Sequence, residues 1–260
     1  MILTPIATSR LGLRSRPLAI GGLERFSVVD WPGQITATVF CQGCGWRCRY
    51  CHNPGLIPFR GVGVGANVGS VAASRVAALA EPEWTWSSVL AWLRDRRGLL
   101  DGVVFSGGEP TLQPGLAEAV RGTRELGFRI GLHTGGPVPE ALNEVLPLVD
   151  WVGFDFKAPF ADYLRVTGRL GGDAARQSLG LLRAAGVALE VRTTWHPELL
   201  SECDLGVMAD TLVAAGVDEW VLQRFRPEGC DDEELTALAT GMGEPPVLSL
   251  SRLRLRVRVR

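Results

Sequence analysis

Four cysteines, Cys41, Cys44, Cys48 and Cys51, fall within eleven positions of the segment FCQGCGWRCRYCHNP. Thiolates at this density suit a metal centre, either zinc or an iron–sulfur cluster. Cys44, Cys48 and Cys51 are spaced C-x3-C-x2-C, so a short loop can turn three of them toward one point. Four ligands, with Cys41 or His52 as the fourth, would close the shell as in structural zinc. Three would leave a metal atom with open positions for chemistry. Zinc ligands usually come as two pairs separated by a longer spacer, and this crowded run does not follow that pattern. Two further groups are unusual. Gly107, Gly108 and Glu109 follow an apolar run; paired glycines permit close backbone approach, and a glutamate beside them can meet an ammonium. Asp155-Phe156-Lys157 ends another apolar run. Strand alternation sends Asp155 and Lys157 to the inner face and Phe156 outward. A buried carboxylate and ammonium are costly unless they bind something charged.

Lys157 is the only lysine among 27 basic residues, so arginine fills every other place that needs a cation. Either one surface lysine survived by chance, or this position needs a compact ammonium instead of a planar guanidinium. The 28 acidic residues nearly cancel the bases, so charge does not argue for nucleic acid or an anionic membrane as a partner. No apolar run is long enough to span a bilayer, and the N-terminus lacks the order of a secretory signal. A cytoplasmic protein is expected. Six cysteines, four of them crowded together, suit a metal site in a reducing compartment better than a disulfide framework.

These residues need a scaffold. Apolar runs at 34–40, 102–106, 128–133, 151–156, 189–194 and 219–225 read as strands. Amphipathic stretches at 86–98, 114–127, 139–149, 173–186 and 201–216 read as the helices between them. Strands joined by helices argue a parallel α/β sheet, doubly wound or a partial barrel. A single domain is expected, with a core at about 20–230, a glycine- and alanine-rich insertion at 61–83 and a C-terminal extension or edge strand at 245–260. The alternation RLRLRVRVR at 252–260 reads as that edge strand or as a solvated tail. In either architecture ligands gather at the C-terminal strand ends. The cysteines, Gly107–Glu109, His133-Thr134, Asp155–Lys157, Arg192 with His196, and Arg226 all follow or end successive strands. The unusual residues therefore share one rim.

With Tyr50 inside the cysteine motif, the string GCGWRCRYCHNP, VVFSGGEP, GFDFK and VLQRFRPEG resembles the radical S-adenosylmethionine enzymes, specifically the activases of glycyl-radical enzymes. It is most similar to activating proteins of anaerobic ribonucleoside-triphosphate reductase. The resemblance covers most of the chain outside 61–83 and the termini. It implies a partial (β/α)6 barrel of the TIM type and one [4Fe–4S] cluster on Cys44, Cys48 and Cys51. The fourth iron would chelate the amino and carboxylate groups of S-adenosylmethionine. Tyr50 would lie by the adenine, with its backbone as the contact. Gly107, Gly108 and Glu109 would meet the methionine ammonium, and Lys157 the carboxylate. Arg192 would reach the carboxylate or the ribose, and Asp155 and Thr134 share the rim. Reductive cleavage of the sulfonium would then let a 5′-deoxyadenosyl radical take hydrogen from a glycine of a partner glycyl-radical enzyme. A flavodoxin- or ferredoxin-type donor is implied. Pyruvate formate-lyase activases end the third strand in Asp-Thr-Asn-Gly and hold a monovalent cation there. This chain has His133-Thr134-Gly135-Gly136, so His133 either contacts the cofactor or is a packed histidine. Arg226 stands where some activases carry a histidine. Cys203 and Cys230 are isolated, so a single cluster is expected. Cys41 falls by alternation on the Ile35–Ala37–Val39 face. As a ligand it would close the cluster and leave Glu109 and Lys157 nothing to bind, so it is assigned no cluster role.

Overall fold

The computed structural model describes residues 17–59, 84–247 and 255–260; the 61–83 insertion lies outside the described residues. Among the described residues eight strands form one sheet in sequential order. They are β1 (Ile20–Ser27), β2 (Thr36–Cys41), β3 (Gly102–Gly107), β4 (Arg129–Thr134), β5 (Trp151–Asp155), β6 (Ala188–Trp195), β7 (Glu219–Arg224) and β8 (Arg256–Val259). β1 runs antiparallel to β2, and every later pair is parallel. Helices α1 (Trp86–Arg94), α2 (Leu116–Glu125), α3 (Pro139–Val145), α4 (Tyr163–Thr167), α5 (Gly172–Ala185), α6 (Glu202–Ala214) and α7 (Glu233–Leu238) make the crossovers. Sequential parallel strands with helical crossovers are the arrangement of a (β/α) barrel. β1 and β8 are not paired with each other, so the barrel stays open.

Local signals account for the boundaries. Capping boxes start α1 at Thr85 and α6 at Ser201, and glycine in the left-handed conformation ends α5 at Gly186. α3 stops at Val145, short of the expected 149. Pro147 lacks an N–H, and Leu146–Leu148 tightens into a 3₁₀ turn. β1 was not expected as a strand. Only its end residues Ile20 and Ser27 are buried, and its glycines and charges mask any alternation.

The two faces of the sheet differ in kind. Ala37, Val39, Val103, Phe105, Ile130, Leu132, Val152, Phe154, Val191 and Leu222 point outward and join the helices in one apolar core. The inner face carries a small cluster, Trp31, Val104 and Trp151, with the two indoles stacked at 5.6 Å. Above it the inner positions turn polar. β8 presents Arg256, Arg258 and Arg260 to Glu190 and Glu219. Opposite charges on neighbouring strands hold this short edge strand in register.

Candidate functional site

The C-terminal ends of β2 to β7 surround one cavity of about 1210 Å³. Cys44, Cys48, Cys51, Tyr50, Gly107, Gly108, Glu109, His133, Thr134, Asp155, Lys157 and Arg192 all line it. The residues named for the cluster and the cofactor therefore come together. Cys41 does not reach it. It is fully buried in the outer core, as the alternation of β2 requires.

The cysteine loop is held by backbone hydrogen bonds. The N–H groups of Gly43 and Cys44 donate to the carbonyls of Leu56 and Ile57 at 2.8 and 2.9 Å. Gly43 has φ +111°, a conformation that favours glycine. Further along, Arg47 N–H donates to the Thr167 carbonyl at 2.7 Å, at the end of α4. Trp46, inside the loop, packs edge-on against Tyr163 at 6.0 Å. Burial pushes the Cys44 thiol up to about 12, with the Glu109 charge adding to it, and burial also raises Cys48 and Cys51. As bare thiols they hold their protons at neutral pH, and a metal must displace those protons to bind. Among the described residues no three His, Cys, Asp or Glu side chains converge as a single ion requires. Cys44, Cys48 and Cys51 line one wall of an open cavity, and as thiolates they would suit an iron–sulfur cluster. The residues present fit such a group.

The end of β3 is built against this loop. Gly108 N–H donates to the Cys41 carbonyl at 2.9 Å, and Glu109 N–H to Gly43 at 3.0 Å. A Cβ on Gly107 would lie 2.5 Å from Cys41 N, and one on Gly108 would lie 2.4 Å from Gly43 O. The glycine pair is thus demanded by the cysteine loop itself. Gly108→Ala is expected to destabilise the fold by about 1–3 kcal/mol, read as a lowered thermal midpoint; an unchanged midpoint would show that the loop yields freely.

Glu109 is buried and fully oriented. Its Oε1 accepts from Thr111 N–H (3.0 Å), Thr111 Oγ1 (2.7 Å) and Thr134 Oγ1 (2.6 Å), and its Oε2 from Gly135 N–H (3.1 Å). A carboxylate has about four acceptor sites. Three donors occupy Oε1 and one occupies Oε2, so the remaining capacity lies on Oε2. Burial raises the Glu109 pKa, opposed by these hydrogen bonds.

Asp155, Lys157 and Arg192 form a second constellation. Arg192 Nε and Nη2 donate to Asp155 Oδ1 at 3.1 and 2.8 Å, and Lys157 Nζ lies 3.6 Å from Asp155 Oδ2. Burial works to raise the Asp155 pKa, but the Arg192 and Lys157 charges outweigh it and hold the carboxyl below its usual range. Lys157 Nζ also sits over Trp46 at 5.2 Å and Tyr50 at 5.8 Å. Phe156 points outward onto Phe160 at 5.0 Å. Arg192 lines the cavity and gives Nε and Nη2 to Asp155.

His133 has a partner on each ring nitrogen. Nε2 lies 2.7 Å from the Asp30 carbonyl and 3.2 Å from Arg192 Nη1, and Nδ1 lies 3.1 Å from Ser106 Oγ; the shorter carbonyl contact governs Nε2. The Asp30 carbonyl requires a proton on Nε2, so Ser106 donates to Nδ1. Burial, with the Arg192 charge beside it, pulls the His133 pKa down to about 3, and the ring is neutral. His133 is therefore a packed histidine at the cavity wall. Sequence reasoning missed its partners, as it missed Trp46 and Thr111; an indole between two of the clustered cysteines was the one available signal. His196 is fully buried at the end of β6 against Phe225 and does not line the cavity.

A model of the Radical SAM superfamily matches residues 38–199. A Methanocaldococcus jannaschii protein described as a glycyl-radical enzyme activating enzyme is 29% identical over 84% of this chain and 85% of its own length. Pyruvate formate-lyase-activating enzyme of Clostridium pasteurianum is 34% identical over 58% of this chain and 57% of its own length. A 7-carboxy-7-deazaguanine synthase of Methanopyrus kandleri is 32% identical over 49% of this chain and 51% of its own. Among solved structures, SuiB of Streptococcus suis bound to S-adenosylmethionine superposes with a TM-score of 0.56 at 11% identity, covering 84% of this chain and 48% of that one. At that identity the likeness concerns the fold alone.

Proposed function

The chain belongs to the radical SAM superfamily, and on that premise we propose that it is an activase that places a glycyl radical on a partner enzyme, with anaerobic ribonucleoside-triphosphate reductase as the expected partner. It uses a [4Fe–4S] cluster and S-adenosylmethionine, which removes the zinc-module reading. Bound together, these groups supply one-electron cleavage of a sulfonium and hydrogen abstraction from a second substrate. The protein supplies orientation and a water-poor site.

The observation that carries the reading is the placing of three thiols, an oriented carboxylate and the single lysine around one cavity. In this proposal Cys44, Cys48 and Cys51 hold the cluster. Glu109 Oε2 takes the methionine ammonium beside the backbone of Gly107 and Gly108, and Lys157 takes the carboxylate. Tyr50 lies by the adenine, and Asp155, held by Arg192, fixes the ammonium of Lys157. Thr134 acts through Glu109. A cavity of about 1210 Å³ exceeds the roughly 300–1,000 Å³ of ordinary single-ligand sites, which leaves room for a second substrate. The open edge between β1 and β8 suits an extended segment of a partner. A cytoplasmic setting and a flavodoxin- or ferredoxin-type donor complete the proposal; among the described residues no helix is long and apolar enough to cross a membrane.

The 7-carboxy-7-deazaguanine synthase matches favour a second reading, in which a small molecule or peptide is modified on the same scaffold. Anaerobic co-incubation with the reductase, reductant and S-adenosylmethionine separates the two. An electron paramagnetic resonance signal of a glycyl radical on the reductase supports the activase. S-adenosylmethionine cleavage without that signal, for every glycyl-radical enzyme of the host, supports the second reading.

A further inference from the structure

We propose that Arg49 is a positioning residue for the cysteine loop, and that the segment Phe225–Glu234 latches the Cys51 arm of that loop through it. This rests on the reading that Cys44, Cys48 and Cys51 hold the cluster.

The two ends of the loop are secured differently. The Cys44 end is tied by backbone bonds to Leu56, Ile57 and Thr167. Cys51 has no such tie, because its own N–H donates only within the loop, to the Cys48 carbonyl at 3.0 Å. Its neighbours carry one backbone tie, from Arg49 N–H to the Val166 carbonyl at 3.3 Å, and otherwise reach to the chain after β7. Arg49 Nε and Nη2 donate to Asp232 Oδ2 and Oδ1 at 2.7 and 3.2 Å, and Nη2 also donates to Glu234 Oε2 at 2.7 Å. The Arg49 carbonyl accepts from Cys230 Sγ at 3.2 Å. On the far side, the His52 ring stacks on Phe225 at 5.8 Å and its Nδ1 lies 3.2 Å from the Glu228 carbonyl. Gly229 permits that approach, since a Cβ there would sit 2.5 Å from the His52 carbonyl oxygen.

Asp232 is itself fixed, because its Oδ1 accepts from Leu235 N–H and caps α7. Arg49 is 36% exposed and Asp232 19%, so solvent screens the charges, and it is the forked geometry on an oriented carboxylate that makes this a firmer tether than a single-point surface ion pair. All of these contacts come from residues beyond 199, outside the stretch that matches the superfamily model. The cluster site of this chain is therefore completed by a segment that the superfamily match does not include.

The test measures how fast an iron chelator bleaches the reconstituted full-length protein under anaerobic conditions. The variants are Arg49→Ala, Asp232→Ser and the double variant; serine keeps a capping side chain but removes the charge. Each single variant is expected to lose its cluster about tenfold faster than wild type, matching the loss of one charge-assisted hydrogen bond. The double variant should be no faster than Arg49→Ala, since Asp232→Ser leaves the Glu234 contact, and Arg49→Lys, which keeps the charge but loses the fork, should fall between wild type and Arg49→Ala. As a control, Glu244→Gln breaks the Arg224–Glu244 pair away from the loop and should leave the rate at the wild-type value. Wild-type rates in both single variants, or independent multiplying effects in the double, would overturn the latch. Wild-type protein that takes up no iron would instead overturn the reading of the cysteines.

Discussion

Serine at Cys44, Cys48 or Cys51 is expected to reduce bound iron from about four per chain to near zero, whereas Cys41→Ser should retain the full complement. The four cysteines are neighbours in sequence but lie on opposite sides of the sheet. Cys41 is the last residue of β2 and points with Ala37 and Val39 into the helical layer. The other three line the cavity. A hydroxyl at position 41 would be buried among apolar side chains, at a cost of about 1–3 kcal/mol in stability, so this variant should melt earlier while binding iron normally. Iron and sulfide analysis after anaerobic reconstitution decides the matter. Iron loss in Cys41→Ser equal to that in Cys48→Ser would refute the assignment, as would clearly more than four irons in the wild type.

Glu109→Gln should weaken S-adenosylmethionine binding about 100-fold, from the loss of a charged hydrogen bond and the misfit left in its place. Four donors aim at the carboxylate of Glu109. An amide offers only one oxygen, so its NH₂ group must face either the threonine donors or Gly135 N–H together with the incoming ammonium. Donor then meets donor in a buried site. The cluster should assemble normally, because Glu109 hydrogen-bonds to the cysteine loop through its backbone N–H, and losing its charge loosens the hold on the Cys44 proton. Calorimetric titration of cluster-loaded protein measures the effect. Binding within threefold of wild type would remove Glu109 from the ammonium site and leave it as a scaffold for Gly135.

The fold was legible because strands and helices alternate with different hydrophobic periods, and the unusual residues fall at strand ends. Two sorts of feature were not. β1 is an edge strand with few buried side chains, so its sequence carries little pattern. His133 allowed two roles from sequence, and only its neighbours Asp30 and Ser106, brought in from β3 and the β1–β2 connection, decide that it is a packed, neutral ring. The glycine pair at 107–108 was read as a ligand approach, yet its tightest constraint is the cysteine loop lying against it. Such constraints come from residues remote in sequence, which periodicity cannot reveal.

By itself, the sequence determined the class of chemistry. The spacing of Cys44, Cys48 and Cys51, the glycine–glycine–glutamate turn and the lone lysine are local facts, and alternation along β2 already set Cys41 apart. Tertiary structure decided which groups remain available for a ligand. Arg192 is engaged by Asp155, and Oε1 of Glu109 by its threonines, while Oε2 keeps acceptor capacity and Lys157 lines the cavity. It also decided that the loop around Cys51 is gripped from more than 170 positions away. Residue type sets what a group can do, but long-range packing settles which of its bonding sites are already filled.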